Sequence, residues 1–241
     1  MSHFPFRRLQ AELAEMIASL PAESRLTSEP ELARRLGVSR ATLREAMRSF
    51  EVQGLIRRRQ GVGTFVVAQV PVLDTGLEVL ESIETLAQRI NLAVKMGELQ
   101  VSQEAAGEAE SAALNLPLGS PLTRVSRVIY TDSRPIAFLV DTLPADFFPA
   151  SELDAGFTGS VLDLLLRRGD PKLTHSRTDI KAIGATSEVA RALQIQRDDV
   201  LLHFAAQLFS EDGRVVDYSF SYFLPGYFHF HVVRKVGNGH M

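Results

Sequence analysis

Between residues 26 and 67 the chain reads Leu26-Thr-Ser-Glu-Pro-Glu-Leu-Ala-Arg-Arg-Leu-Gly-Val-Ser-Arg-Ala-Thr-Leu-Arg-Glu-Ala-Met47 and, after a short gap, Gly54-Leu-Ile-Arg-Arg-Arg-Gln-Gly-Val-Gly-Thr-Phe-Val66. No other stretch limits the fold so tightly. Ser28-Glu-Pro-Glu31 has the spacing of a capping box, with Pro30 in the first turn, where its missing N–H costs little. The spacing predicts a helix from there to about Leu36. Gly37 suits the left-handed conformation that ends a helix, and Ser39 suits the cap of the next one. Leu9, Leu13, Met16, Ile17 and Leu20 recur at helical spacing and predict an earlier helix over about Phe6 to Leu20. Leu55 to Arg59 and Thr64 to Val67 are strand-like around Gln60-Gly-Val-Gly63, which predicts a hairpin. Three helices followed by a basic, Gly-tipped hairpin make a winged helix-turn-helix, whose third helix lies in the major groove of duplex DNA.

On that third helix Val38, Leu43, Met47 and Phe50 form one apolar stripe, while Arg40 and Arg44 stand one turn apart on another face. A bidentate Arg to guanine is the commonest specific base contact, so Arg40 and Arg44 are the expected readers. Ser39, Ala41 and Thr42 occupy the same helix end, where an N–H or hydroxyl can hold phosphate and a small side chain can touch a thymine methyl. An Arg pair at this spacing is more often a solvated helix face; the basic hairpin beside it reverses that expectation. The Gly-rich tip is not a nucleotide cradle, because no Lys-Ser/Thr follows and no helix starts there.

Charge is distributed accordingly. Residues 1–69 hold eleven Arg and seven Glu, with no Lys or Asp, for a net +4; the whole chain is −3, which leaves −7 for the remainder. A basic head on an acidic body confines phosphate contact to one surface. The 241 residues suit two domains. There is no Cys, so neither a disulfide nor a thiolate metal site exists. No apolar run reaches the roughly 18 residues of a membrane span and no secretory leader is evident, so a cytoplasmic protein is expected.

Gln69 to Gly76 contains Pro and Gly and coincides with the charge change, so the boundaries are read as 1–69 for the head, 70–76 for a linker and 77–241 for the body. In the body, Leu122 to Tyr130 and Pro135 to Leu143 flank Thr131-Asp-Ser-Arg134, and Val200 to Phe209 and Arg214 to Phe223 flank Glu211-Asp-Gly213. These are two β-hairpin signals of related layout, hinting at an internal repeat. Helices are expected at Glu78 to Arg89, Glu104 to Leu114, Ser160 to Arg168 and Ser187 to Leu193, giving an α+β domain with an antiparallel sheet flanked by helices.

The head resembles the N-terminal domain of the GntR family of bacterial transcription regulators, whose common form runs L-P-S-E-R-E-L-A…G-V-S-R-x-T-V-R-E-A-L…G-L-I…R-Q-G-x-G-T-F-V. The body resembles the UTRA effector domain of the family's HutC branch, a fold similar to chorismate lyase. That likeness rests on Leu118-Gly-Ser-Pro-Leu, Arg124-Val-Ser-Arg-Val-Ile-Tyr-Thr-Asp, Arg134-Pro-Ile, Leu143-Pro and the ending Tyr222-Phe…Phe228-His-Phe230. The resemblance implies a homodimeric regulator, a repressor, that binds a pseudo-palindromic operator and is modulated by a small-molecule effector, with no catalytic residues and no cofactor. It places Ser39, Arg40, Arg44, Gln60 and Gly61 at DNA. Pro30 stands where the family usually has Arg, so the operator or the affinity for it is expected to differ. Arg127 matches an anion-binding position, whereas Leu139, Phe220 and Ile129 stand where sugar-phosphate-binding relatives have acidic residues and a second arginine.

Strand alternation sets Tyr218, Phe220 and Tyr222 on one face, which predicts an aromatic pocket wall and an effector with one anionic group for Arg127 and a flat or apolar body. The bland alternative is that these aromatics are sheet core. Ser82 adds a hydroxyl near a helix start. His229 and His231 lie two apart on a strand and could share a face toward a metal; the preferred reading is a solvated edge with Phe228 and Phe230 turned inward, and no metal site. Neither H-E-x-x-H nor G-x-S-x-G occurs, and Asp198-Asp199 reads as a turn. Likeness to a lyase fold does not confer its activity.

Overall fold

The computed structural model describes residues 4–234 apart from 53, 60–61, 68–71, 133, 151–152, 154–156 and 158. The chain forms two compact units, Met1–Val72 with Pro225–Phe228, and Leu73–Leu224 with His229–Met241.

The first unit contains α1 (Phe4–Ser19), α2 (Glu29–Arg35), α3 (Arg40–Val52), β1 (Ile56–Arg59) and β2 (Gly63–Val66). Its core draws one stripe from each helix: Leu9, Leu13 and Ile17 from α1, Leu32 and Ala33 from α2, and Leu43, Ala46, Met47 and Phe50 from α3, closed by Ile56 and Val66 of the hairpin. Each fully buried Leu or Met here contributes about 1.5–3 kcal/mol relative to exposure. Gly37, at φ +66°, makes the left-handed turn between α2 and α3. The capping box expected at Ser28 does not form: Ser28 occupies the N-cap position, but its side chain makes no capping hydrogen bond. β1 and β2 pair antiparallel, Arg59 opposite Gly63. Residues 24–26 add a third edge, with Leu26 N–H donating to the Thr64 carbonyl at 2.8 Å and Val66 N–H to that of Ser24 at 2.8 Å.

The second unit begins inside the expected linker, where residues 73–76 form β3 (Leu73–Gly76). There follow α4 (Ile83–Arg89), β4 (Lys95–Ala105), α5 (Glu108–Leu114), β5 (Pro121–Thr131), β6 (Arg134–Pro144), α6 (Val161–Arg168), β7 (Leu173–Gly184), α7 (Ser187–Ala192), β8 (Val200–Ser210), β9 (Val215–Phe223) and β10 (Phe228–His231). Six strands make one antiparallel sheet in the order β4-β5-β6-β9-β8-β7, and β3 pairs with β10. The order is that of two β-α-β-β units, β4-α5-β5-β6 and β7-α7-β8-β9, joined at β6 and β9. The hinted repeat is thus structural.

The sheet is covered on both faces. On one, Val125, Leu143 and Leu208 pack with Val161 and Leu165 of α6 and with Phe147, Phe148 and Phe157. On the other, Leu122 and Tyr218 meet Leu114 of α5 and Ala106 just before it, and Arg124 reaches Glu188 of α7 at 4.0 Å. Among the described residues no helix is long and apolar enough to cross a membrane.

Candidate nucleic-acid interface and effector site

The N-terminal end of α3 is built by its own cap. Ser39 Oγ accepts from the Thr42 N–H at 3.0 Å and shares a hydrogen bond with Thr42 Oγ at 2.8 Å. This holds Ser39 and Thr42 to each other and leaves Arg40 and Ala41 exposed at the first helical positions. The Arg40 guanidinium has no hydrogen bond or ion pair among the described residues. Arg44, one turn on, is held differently: its Nε donates to Glu29 Oε2 at 2.7 Å, and Glu29 also faces Arg58 at 3.9 Å. Sequence reading found both arginines but missed Glu29 as the group that orients the second.

The wing carries its charge in similar brackets. Arg57 and Arg59 both approach Glu23, at 3.6 and 3.7 Å, and Arg58 approaches Glu51 at 3.7 Å. The Arg59 guanidinium lies 5.0 Å from the Phe65 ring centre, a cation–π contact. Gln60 and Gly61, expected at the wing tip, lie outside the described residues. Arg25 was not foreseen: bridged to Phe65 on the added edge, it is exposed and makes no ion pair among the described residues. Gly63, at φ +141°, accommodates it, since a Cβ there would stand 2.6 Å from Arg25 Nε. The signal for Arg25 was faint, a lone basic residue before Leu26. Arg25 and Arg40 are thus cations of the head with no carboxylate partner among the described residues.

In the body, Ser82 caps α4, accepting from the Thr85 N–H at 3.0 Å and donating to Asp163 Oδ2 of α6 at 2.7 Å. Its hydroxyl is at a helix start, as expected, and is engaged in tying α4 to α6. Arg127 is buried, with its Nε donating to the Gly159 carbonyl and its Nη1 to Asp141 Oδ2. Arg127, expected to hold an anionic group of the effector, is paired here with the Asp141 carboxylate. Asp141 faces Val125 across the β5–β6 ladder, one step along the same face from the Arg127–Leu139 pair.

Asp217 on β9 joins this group. Its carboxyl is pushed well above the usual aspartate range, first by burial and then by the Asp141 charge and a hydrogen bond with Asp141. Burial likewise raises Glu84 of α4. Among the described residues, Asp217 Oδ1 and Glu84 Oε1 are buried without a hydrogen-bond partner. Arg127 is thus paired with Asp141, and burial favours the protonated form of the neighbouring Asp217 and Glu84.

Tyr218, Phe220 and Tyr222 do share one face, but it is the opposite face from Arg127. Leu139, which faces Arg127, pairs with Ser221, and Phe220 pairs with Val140. The expected aromatic wall beside Arg127 is replaced by Asp217, Ser219 and Ser221, the alternate residues of β9. The aromatics form a half-buried row instead: Tyr218 to Phe220 at 4.8 Å between ring centres, Phe220 to His203 at 5.6 Å, and Tyr222 to His203 at 4.8 Å and to Phe138 at 5.9 Å. Burial raises the Tyr218 and Tyr222 hydroxyls above their usual range.

An exposed cation on a capped third helix, a wing with a second such cation, and a separate α+β unit with a buried polar cluster define a DNA-binding regulator with an effector domain. Comparison with known proteins agrees. The family model for bacterial regulatory proteins of the gntR family matches residues 5–66, and that for the UTRA domain matches residues 91–229. The chain belongs to the GntR family, in its HutC branch. It is similar to the Histidine utilization repressor of Pseudomonas putida, 30% identical over 203 residues that cover 80% of this chain and 79% of that one. It is also similar to the transcriptional repressor NagR of Bacillus subtilis, 26% identical with 80% and 79% covered. The crystal structure of PhnF from Mycobacterium smegmatis superposes with a TM-score of 0.65 at 21% identity, covering 95% of this chain and all of that one, and speaks for the fold. The protein is a transcription regulator that binds DNA through its head and a small-molecule effector through its UTRA domain.

Proposed function

We propose that this protein is a cytoplasmic, non-enzymatic repressor that binds a pseudo-palindromic operator as a homodimer and releases it when the effector binds. A single winged helix reads only a few base pairs, so useful discrimination calls for two heads on paired half-sites. The observation that carries the reading is the exposed, unpartnered Arg40 guanidinium at the start of α3. Arg40 is assigned to a base edge, Arg44 to a second contact aimed by Glu29, Ser39, Ala41 and Thr42 to the adjoining backbone and bases, Gln60 and Gly61 to the wing contact, and Arg25 to phosphate.

The effector is assigned to the sheet face that bears Arg127, near Ser82. An anionic group on the ligand would take Arg127 over from Asp141, and N–H donors on the same ligand would satisfy the carboxyls so released. This reading rests on the unpartnered Asp217 and Glu84 oxygens; the flat, apolar body is withdrawn, since the aromatic row is on the other face. Nuclease footprinting on the DNA flanking the protein's own gene tests the whole proposal. A symmetric footprint lost with Arg40→Ala supports it, and no protected site in that neighbourhood contradicts it.

A further inference from the structure

His229 and His231 stand two apart on β10, so their rings share one face, with ring centres 6.0 Å apart. β3 runs beside β10 and brings Asp74 to both: its Oδ1 lies 2.9 Å from His229 Nδ1 and 3.0 Å from His231 Nδ1. The three donor atoms lie within 4.8 Å of one another, and all three side chains are exposed. Alternation explains the arrangement, because Phe230 between them turns inward onto Phe204 and Phe223, at 4.7 and 5.1 Å. The solvated edge expected from sequence is there, with a carboxylate added to it from 155 residues away.

Bonds of about 2.0–2.1 Å at the tetrahedral angle separate neighbouring zinc ligands by roughly 3.3 Å. The Asp74 oxygen lies slightly closer than that to each imidazole nitrogen and the three donors fall within 4.8 Å, so modest side-chain rotations bring them to one face of a tetrahedron. We propose that Asp74, His229 and His231 bind a divalent first-row metal ion, Zn2+ in the first instance, with water completing the coordination on the solvent side. Two imidazoles and one carboxylate suit zinc and its transition-metal neighbours, not Mg2+ or Ca2+, which take oxygen ligands. Glu78 adds negative charge nearby: its Oε1 accepts from the Val233 N–H, and the absent side chain at Gly76 leaves the space that Glu78 and His231 share.

The ion would clip β3, the first described strand after the wing, to β10, the last described strand. The site is independent of the effector site and of the DNA-binding reading.

Zinc titration of the full chain against a chromophoric chelator tests this, beside the His229→Ala/His231→Ala double variant and Asp74→Asn. One equivalent should bind to the wild type, the double variant should take up none at that affinity, and Asp74→Asn should weaken binding about tenfold or more. Zinc should also raise the melting temperature of the wild type alone. Circular dichroism in metal-free buffer checks that the variants fold, and the double variant keeps the other four of the six His. Equal zinc uptake by wild type and double variant, or binding of Mg2+ as tight as that of Zn2+, overturns the proposal.

Discussion

Arg44 Nε donates to Glu29 Oε2 at 2.7 Å across the α2–α3 turn, so the residue that orients the second proposed reader lies on the neighbouring helix. The pair is largely exposed on the Arg44 side and contributes at most about 1 kcal/mol to folding. Its value lies in orientation. Glu29→Gln is therefore expected to leave the melting temperature nearly unchanged, to raise affinity for random duplex by removing a charge that repels phosphate, and to lower the preference for operator about tenfold. Fluorescence anisotropy with operator and scrambled duplexes measures both; an unchanged preference sinks the role.

Arg25, exposed on the edge beside β2, is proposed to meet phosphate and not a base. Arg25→Ala should weaken binding to operator and random DNA alike and reduce the slope of log affinity against log salt by about 1. A change in sequence preference with an unaltered slope would assign Arg25 to a base edge instead.

Gly63 links the wing's backbone to that arginine. Gly63→Ala puts a side chain at φ +141° and a Cβ 2.6 Å from Arg25 Nε. Backbone strain should lower head stability by about 1–3 kcal/mol, and displacement of Arg25 should reproduce the weakened DNA binding of Arg25→Ala. Denaturant unfolding read beside anisotropy checks the two together; wild-type stability in the variant would show that the wing relaxes freely.

Asp217 gives the body a pH signature. Its carboxyl titrates above the usual range in the folded state, so the folded state holds a proton that the unfolded state has lost. The sign follows: its contribution to stability falls as pH rises from about 4, the unfolded aspartate value, through the raised folded value. Asp217→Asn fixes the neutral form, so wild type should lose stability relative to the variant as pH is raised over that window. Parallel melting-temperature profiles for the two proteins would show that Asp217 is ionised throughout.

Removing Arg127 exposes the other side of the same cluster. Arg127→Leu leaves Asp141 buried without its cation and should cost about 3–5 kcal/mol, with part recovered when Asp141→Asn is added. Urea unfolding of the two variants measures it, and a single variant as stable as wild type would contradict the buried pair.

The head was legible because its determinants are local. Ser39 caps the helix that follows it by accepting from the N–H three residues on, Gly37 ends the one before it, and Leu43, Met47 and Phe50 recur at the helical period. Ser28 was misread, since the spacing to Glu31 marks the N-cap position but does not decide whether the Ser28 side chain turns to the helix N–H groups, and here it does not. In the body the two hairpins were legible from their turns, but β4 and β7 were not. Both are edge strands exposed on each face along much of their length, so no alternation of apolar and polar residues marks them. The partners of Arg127 were hidden more deeply. Asp141 lies across a hairpin and Asp217 in the second repeat, and only the β6–β9 register decides that Asp217, not Phe220, shares its face; a slip of one residue exchanges the two. Asp74 and its histidines were separated by nearly the length of the body.

The central claim is that Arg40 reads the operator. Anisotropy titration of the footprinted operator and of a scrambled duplex, with wild type and Arg40→Ala at matched salt, tests it most directly. The account predicts that Arg40→Ala loses about 1–3 kcal/mol of preference for operator over scrambled DNA, roughly 5- to 150-fold. An Arg40→Ala protein that keeps the wild-type preference would contradict it.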